Sequence, residues 1–287
     1  MALCFTSEGA VGVPSSLQIR VAPGRPGRIR VGAPAPSRSM TKDEVLANAR
    51  HFRSPGPRSA PIDRVVLSAL PDDWLGSTVQ HMVAALGDLG IEGVVIHLDE
   101  IQARALSGPF AGAELVVATR APIDLQGVAV PLALTVPLER SVLDGIADVM
   151  AAVEALGPSR VTFVWPFPDG TSARPQGADA VARILAAHLG RWRDAPFPWG
   201  IKGLPRCVLA PLEAGGSLAG RIWRTRNRYY VDAEHQGSDA LMFEPDLIQV
   251  VKSDRCRFCA VDDRCDGVAS RWLAEGLVVA LIPLEAP

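Results

Sequence analysis

Short β-branched apolar runs alternate along this chain with longer stretches whose apolar residues recur at helical spacing. The runs at 17–21, 63–70, 93–98, 114–119, 128–136 and 160–165 read as buried strands. Between and after them, 40–52, 77–90, 100–106, 138–156 and 178–189 read as helices. The first opens on Thr41 with Glu44 three residues on, a capping-box signature, and the second is expected to be capped by Ser77 and closed by Gly90. Strands and helices alternating in this way predict an α/β fold of parallel βαβ units with helices outside. The expected core is a partial (β/α) barrel-like body, with an open doubly wound sheet as the alternative.

The texture differs at both ends. Residues 1–16 are expected to be a disordered N-terminus, and 17–195 form the βα core. A proline-rich stretch at 193–207 marks the boundary of a second unit, 196–287, of strands and turns. That unit contains a strand-like run at 207–212, the arginine-aromatic stretch at 221–232, a cysteine run and a short helix at 268–274. Its core would be marginal without a metal to support it, so it reads as a small C-terminal cluster-binding domain.

An apolar content of 48% with 21% charged residues is that of an ordinary soluble protein, and no apolar run approaches a membrane span. A net charge of -2 argues against nucleic acid as the main partner. The stretch RIWRTRNRYY, 221–230, reads as a half-exposed hairpin strand with arginines on its wet face. A grip on RNA or phosphate is the alternative.

Three of the five cysteines stand in the pattern C-x2-C-x5-C at Cys256, Cys259 and Cys265. Cys207, between proline and glycine turn signals, is the expected fourth ligand. Thiolates select zinc or iron-sulphur clusters. Structural zinc sites pair two short knuckles, whereas a one-plus-three spacing suits the divergent corners of a 4Fe–4S cluster. Zinc is the alternative, and a group of buried thiols the third reading. Disulphides are disfavoured by the odd count and by the absence of a basic, apolar leader, so a reducing cytoplasm is expected. Asp262 and Asp263, between cysteines, read as solvating the loop, with redox tuning as the lesser reading.

Other candidates are weaker. His81, His97 and His188 read as ordinary helix and strand residues, although His97 beside Asp99 and Glu100 could serve a metal or acid-base chemistry. Trp165, Pro166, Phe167 and Pro168 either line a pocket at the strand rim or end the strand as core. No hydrolase elbow, phosphate-binding glycine loop or paired-histidine zinc motif is present.

Pro205, Cys207, Cys256, Cys259, Cys265 and Gly267, following a βα body, resemble radical SAM proteins with a C-terminal auxiliary iron-sulphur cluster of the SPASM or twitch type. The resemblance extends over about residues 20–285, with the helix at 40–52 and the strand after it similar to the start of the radical SAM core. It implies four cluster ligands: Cys207, Cys256, Cys259 and Cys265. The family's C-x3-C-x2-C loop, which binds the cluster that cleaves S-adenosylmethionine, is missing; the spacing falls on Arg25, Ile29 and Gly32, and Cys4 is the one cysteine before Cys207. The glycine-rich motif after the second strand is replaced by SALPDD, 68–73. The resemblance therefore implies a degenerate homologue that does not initiate radical chemistry alone and is not expected to bind S-adenosylmethionine. Its expected role is that of a cytoplasmic partner subunit, paired as a heterodimer with an active radical SAM enzyme, positioning a peptide or protein substrate or passing an electron. The alternatives are a zinc-stabilised binding module for RNA or protein, and a divergent enzyme that still binds S-adenosylmethionine.

Overall fold

Strand pairing follows the order of the sequence. The structure, a computed structural model, describes residues 15–23, 36–54, 61–106, 110–128, 130–166, 174–192, 194–209, 222–223, 228–242, 250–262, 265, 267–278, 281 and 284. Strands β1 (Ser16–Arg20), β2 (Arg64–Ser68), β3 (Gly93–Leu98), β4 (Ala113–Ala118), β5 (Leu132–Pro137), β6 (Arg160–Val164) and β7 (Trp199–Lys202) lie side by side in chain order, all parallel. Most of their residues are buried, whichever face they occupy, which is why they read as continuous apolar runs rather than alternating ones.

Helices α1 (Lys42–Arg53), α2 (Ser77–Asp88), α3 (Glu100–Ala105), α4 (Arg140–Asp144), α5 (Ile146–Leu156) and α6 (Ala178–Leu189) fill the crossovers, and a single 3-10 turn, Pro122–Leu125, joins β4 to β5. The capping box of α1 is formed: the Glu44 N–H donates to Thr41 Oγ1 at 3.2 Å and the Thr41 N–H donates to the Glu44 carboxylate at 2.7 Å. At α2 the N-cap is Gly76, not the expected Ser77, which is the first helical residue. The stretch 138–156 is two helices broken at Gly145.

The two faces of the sheet differ. Leu17, Ile19, Leu67, Ile96, Leu134 and Phe163 belong to one continuous core packed under the helices. Residues of the other parity form a separate small apolar cluster, Val66, Val95, Val116 and Ala133, beside the buried polar groups Gln18, Arg20, Ser68, Thr135 and Thr162.

Two further strands extend the sheet at opposite edges: β8 (Ile222–Trp223) parallel to β7, and β9 (Tyr229–Val231) parallel to β1, followed by β10 (Leu241–Met242) antiparallel to β9. In a flat sheet, the spacings between β8 and β9 would total about 38 Å at about 4.8 Å each. Yet Trp223 and Tyr229 are joined by a chain whose greatest reach is about 22 Å. The sheet must curl until its edges approach, which makes the second face concave and the core barrel-like. The 221–232 stretch is therefore not one strand: β9 pairs antiparallel with β10, as a hairpin strand would, while β8 joins the opposite edge of the sheet. Its two halves pair with different edge strands because each edge of a curled parallel sheet still offers unpaired N–H and C=O groups.

The run at 207–212, expected as a strand, begins instead as helix α7 (Arg206–Leu209); 210–212 lie outside the described residues. Beyond residue 195, β7 and β9 belong to the main sheet, and Val268, Ala269, Trp272 and Leu277 share its core. Most of the 1–16 segment lies outside the described residues. Among the described residues no helix is long and apolar enough to cross a membrane.

Candidate functional site

The cysteine run connects two short antiparallel strands, β11 (Val250–Val251) and β12 (Val268–Ala269). Within it, backbone hydrogen bonds repeat every third residue. The Cys256 N–H donates to Ser253 O at 2.9 Å, Cys259 to Cys256 O at 2.9 Å, Asp262 to Cys259 O at 3.1 Å and Cys265 to Asp262 O at 3.4 Å. The bonds at Cys256 and Cys259 belong to the 3-10 helix Asp254–Phe258, which ends at the extended Cys259, and those at Asp262 and Cys265 close further turns of the same hydrogen-bond ladder. Burial follows the same period: Ser253, Cys256, Cys259, Asp262 and Cys265 are half-buried, while Asp254, Arg255, Arg257, Phe258 and Ala260 are exposed. The x5 spacer is therefore two x2 steps with Asp262 as the rung between them.

Gly267 closes the ladder. At φ +84° it lies in the left-handed region, and a Cβ there would stand 2.2 Å from Val251 O, so only glycine lets the chain return beside β11.

Cys207 comes from the other side of the molecule's sequence. It sits on α7, directly after β7, at the carboxyl end of the parallel strands, where α/β folds place their ligands. The turn between them is tight: a Cβ at Gly203 would meet Trp165 O at 2.6 Å. This close packing carries Pro205 and Cys207 back toward the ladder.

All four cysteines line one partly enclosed pocket, with Arg206, Lys252, Asp262, Gly267 and Leu281 among the other lining residues. Its volume is about 320 Å³, counting the space open to solvent at its mouth. The thiols are half-buried and unbridged. Several are already held by hydrogen bonds: the Gly267 N–H donates to Cys265 Sγ at 3.5 Å, the Leu284 N–H donates to Cys259 Sγ at 3.3 Å, and Ser253 Oγ lies 3.4 Å from Cys256 Sγ. Such contacts orient sulphur ligands. The Ala260 N–H donates to Leu284 O at 2.9 Å, so the tail is bound to the loop at two points.

Among the described residues no three His, Cys, Asp or Glu side chains are placed to hold a single metal ion. The four thiols line a common space. A tetrahedral zinc with bonds of about 2.3 Å needs its thiolates within about 3.8 Å of one another. A cubane cluster takes each thiolate on a different iron and accepts a wider ring.

The other expected residues are placed as follows. Trp165 is core: it is buried, its Nε1–H donates to Gln176 O at 3.2 Å, and its ring packs beside Trp272 of α8 (Ser270–Ala274). Asp99 is the N-cap of α3, accepting from the Gln102 N–H at 2.8 Å. His81 is exposed on α2, and His188 lies in the last turn of α6. Cys4, Arg25, Ile29, Gly32, Phe167, Pro168 and Asp263 lie outside the described residues.

A polar group on the concave face escaped the sequence reading. Arg20 ends β1, and beside it on β9 Tyr230 is buried, with Asp232 one residue beyond the strand. The Tyr230 hydroxyl makes no well-formed hydrogen bond, and burial first, then the Asp232 carboxylate, pushes its pKa up to about 12. Asp232 accepts from the Glu234 and His235 N–H groups at 3.0 and 2.9 Å and contacts His235 Nδ1 at 2.8 Å. An arginine inside the apolar run LQIRV was the available signal.

No protein-family model and no curated protein matches the sequence. Its structure, however, is similar to that of SuiB from Streptococcus suis, with a TM-score of 0.53 and 10% identity over 92% of this chain and 74% of SuiB. SuiB bound to S-adenosylmethionine matches with a TM-score of 0.52 at 9% identity over 92% of this chain and 74% of that one. SuiB bound to its precursor peptide SuiA matches with a TM-score of 0.53 at 9% identity, covering 92% and 73%. The chain thus has an α/β fold resembling that of SuiB.

Proposed function

We propose that this chain is a radical SAM-like scaffold that binds one 4Fe–4S cluster through Cys207, Cys256, Cys259 and Cys265 and works as a non-initiating partner subunit. One observation carries the reading: cysteines from stretches about fifty residues apart in sequence line the same pocket. A cluster bound there would supply one-electron transfer. The chain's own part is to fix the ligands: the ladder presents three thiols on one side, α7 presents the fourth, and the Gly267 and Leu284 N–H groups hold two sulphurs in place.

The partner role rests on what the sequence lacks. The cysteines at 4, 207, 256, 259 and 265 fit no C-x3-C-x2-C loop, so this chain does not hold the cluster that starts radical chemistry. An active radical SAM enzyme would supply that step, while this chain positions a peptide substrate or relays an electron. That SuiB is seen with a precursor peptide supports the peptide option.

Anaerobic reconstitution tests the site. We expect about four irons per chain, matching one cubane, and their loss in Cys259→Ala. A colourless protein holding zinc would overturn the cluster and favour the zinc-stabilised module. Co-purification tests the partner: a tagged chain should bring down a protein with an intact C-x3-C-x2-C loop, and its recovery alone would count against the subunit role.

A divergent enzyme that still binds S-adenosylmethionine is the second reading, favoured by the likeness to SuiB in complex with that molecule. Against it, Arg20 and Ser68 fill the ends of β1 and β2 on the concave face. Calorimetry with S-adenosylmethionine should show no heat; micromolar binding would reverse this judgement.

A further inference from the structure

The three-residue period that turns Cys256, Cys259 and Asp262 inward turns Arg255, Arg257 and Phe258 outward. Phe258 leaves 72% of its surface in water, whereas Phe163 and Phe197 are buried. Covering a ring of this size is worth about 1.5–3 kcal/mol, so leaving it exposed forgoes a contribution that the core phenylalanines make. The ring is not loose: the Arg257 guanidinium stands 4.7 Å from its centroid, a cation–π contact that holds it upright. Exposed apolar side chains with a polar rim mark contact sites, and aromatic and arginine residues dominate their energetics.

Position sharpens the point. Arg257 and Phe258 are the two residues inside the C-x2-C step, so whatever presses on this ring comes within two residues of two pocket thiols. Among the described residues, the outward side of the turn carries two arginines against the single carboxylate of Asp254, on a chain whose net charge is -2. A basic rim on an acidic molecule steers acidic partners to one spot.

We propose, resting on the cluster reading above, that Arg255, Arg257 and Phe258 form the docking knob for an acidic electron-carrier protein. The carrier's carboxylates meet the two guanidinium groups, and an apolar spot on it covers the ring. One electron leaves the reduced carrier, which is oxidised, and enters the four-cysteine site; no bond forms or breaks and no proton moves. A knob of three side chains fits the small, transient interfaces of redox encounters rather than a permanent subunit contact.

A reduced plant-type ferredoxin serves as the acidic probe and dithionite as a small reductant that needs no docking. In the reconstituted protein, Arg255→Glu with Arg257→Glu should slow reduction by ferredoxin about tenfold or more and abolish its salt dependence, as expected when steering charges are reversed. Phe258→Ala should slow it at all salt concentrations. Iron content and the dithionite rate should stay at wild-type values in every variant. Equal ferredoxin rates in variant and wild type overturn the proposal. Should the wild type take up no iron, the cluster reading fails, and calorimetric binding of oxidised ferredoxin decides the knob by itself. Arginine-dependent heat supports it; no heat, or single-stranded RNA binding in place of ferredoxin with the same arginine dependence, overturns it.

Discussion

Lys252 Nζ stands 2.7 Å from the Asp262 carboxylate and 2.7 Å from the same residue's main-chain oxygen. Lys252 immediately follows β11, and Asp262 is the middle rung of the ladder, so this pair ties the root of the loop to its far half. Both side chains are mostly buried, at 22% and 18% exposure, and the contact is therefore screened less than a surface ion pair. Supporting contacts of this kind hold ligands in place, and their loss weakens metal affinity about 10- to 100-fold. Lys252→Met should accordingly lose iron to a chelator about 10- to 100-fold faster than wild type. Asp262→Asn keeps the main-chain contact and should fall between the two. Equal chelation rates for Lys252→Met and wild type would show that the pair does not support the site.

Asn48 on α1 fastens the segment after β9 to the helix layer. Its Nδ2 donates to Glu44 O at 2.8 Å and to Gln236 Oε1 at 3.0 Å, and its Oδ1 accepts from the Gly237 N–H at 2.8 Å. The side chain is buried, so its removal leaves partners stranded away from water. Asn48→Ala should destabilise the protein by about 1–3 kcal/mol in urea unfolding, whereas Asn48→Asp, which keeps an acceptor for Gly237, should change the cost. A loss below about 0.5 kcal/mol for Asn48→Ala would mean that water replaces all three bonds.

The sequence showed these two regions unequally. Strands such as Gly93–Leu98 and Arg160–Val164 were legible because a parallel strand buried on both faces is an unbroken apolar run, and Thr41 with Glu44 marked α1 because a capping box needs those two side chains at that spacing. The split of 221–232 between β8 and β9 was not legible, since which edge a strand joins depends on the curl of the whole sheet rather than on its own residues. At the site, cysteine spacing suggested a metal clip, and Cys207 lines the same pocket as the other three cysteines. Asp262 was passed over as a solvated loop residue because x5 reads as an irregular gap until the hydrogen bonds divide it into equal steps.

Ala69 follows β2 with φ +54°, a left-handed conformation that costs a residue with a Cβ about 1–2 kcal/mol. It falls within 68–73, where the radical SAM resemblance implies a glycine-rich motif, and the backbone there has a bend that glycine favours. Ala69→Gly should raise stability by up to about 1 kcal/mol, after the extra chain entropy of glycine is subtracted. A lower melting temperature for this variant would show that burial of the Ala69 methyl outweighs the strain.

Glu44 gives the fold a dependence on acid. The Arg38 guanidinium first, then the Thr41 N–H, hold its carboxyl well below the ordinary 4.5. A carboxylate whose folded pKa is depressed contributes its stability in full above the unfolded value and loses it progressively as the pH falls toward the folded one. Wild type should therefore lose stability below about pH 4.5 more steeply than Glu44→Gln, with the two unfolding curves converging in acid. Parallel pH profiles for the two proteins would remove Glu44 from the acid response.

Gly267 separates two costs that a glycine substitution mixes. At Gly127, φ is +86° and no atom lies within 4 Å of an added Cβ, so alanine there meets only the backbone penalty. At Gly267, φ is +84° and the added Cβ would stand 2.2 Å from Val251 O and 2.9 Å from the Lys252 side chain. Alanine at Gly127 should cost about 1–2 kcal/mol of stability and leave iron uptake intact. Alanine at Gly267 must in addition push β11 from β12, which displaces Lys252 and shifts the residue-267 N–H away from Cys265 Sγ. Its iron uptake should fall well below one cluster per chain while circular dichroism retains the signal of the α/β core, because the main sheet makes no use of this contact. Full iron content in Gly267→Ala would show that the ladder tolerates a wider root, and that the hairpin does not set the positions of the thiols.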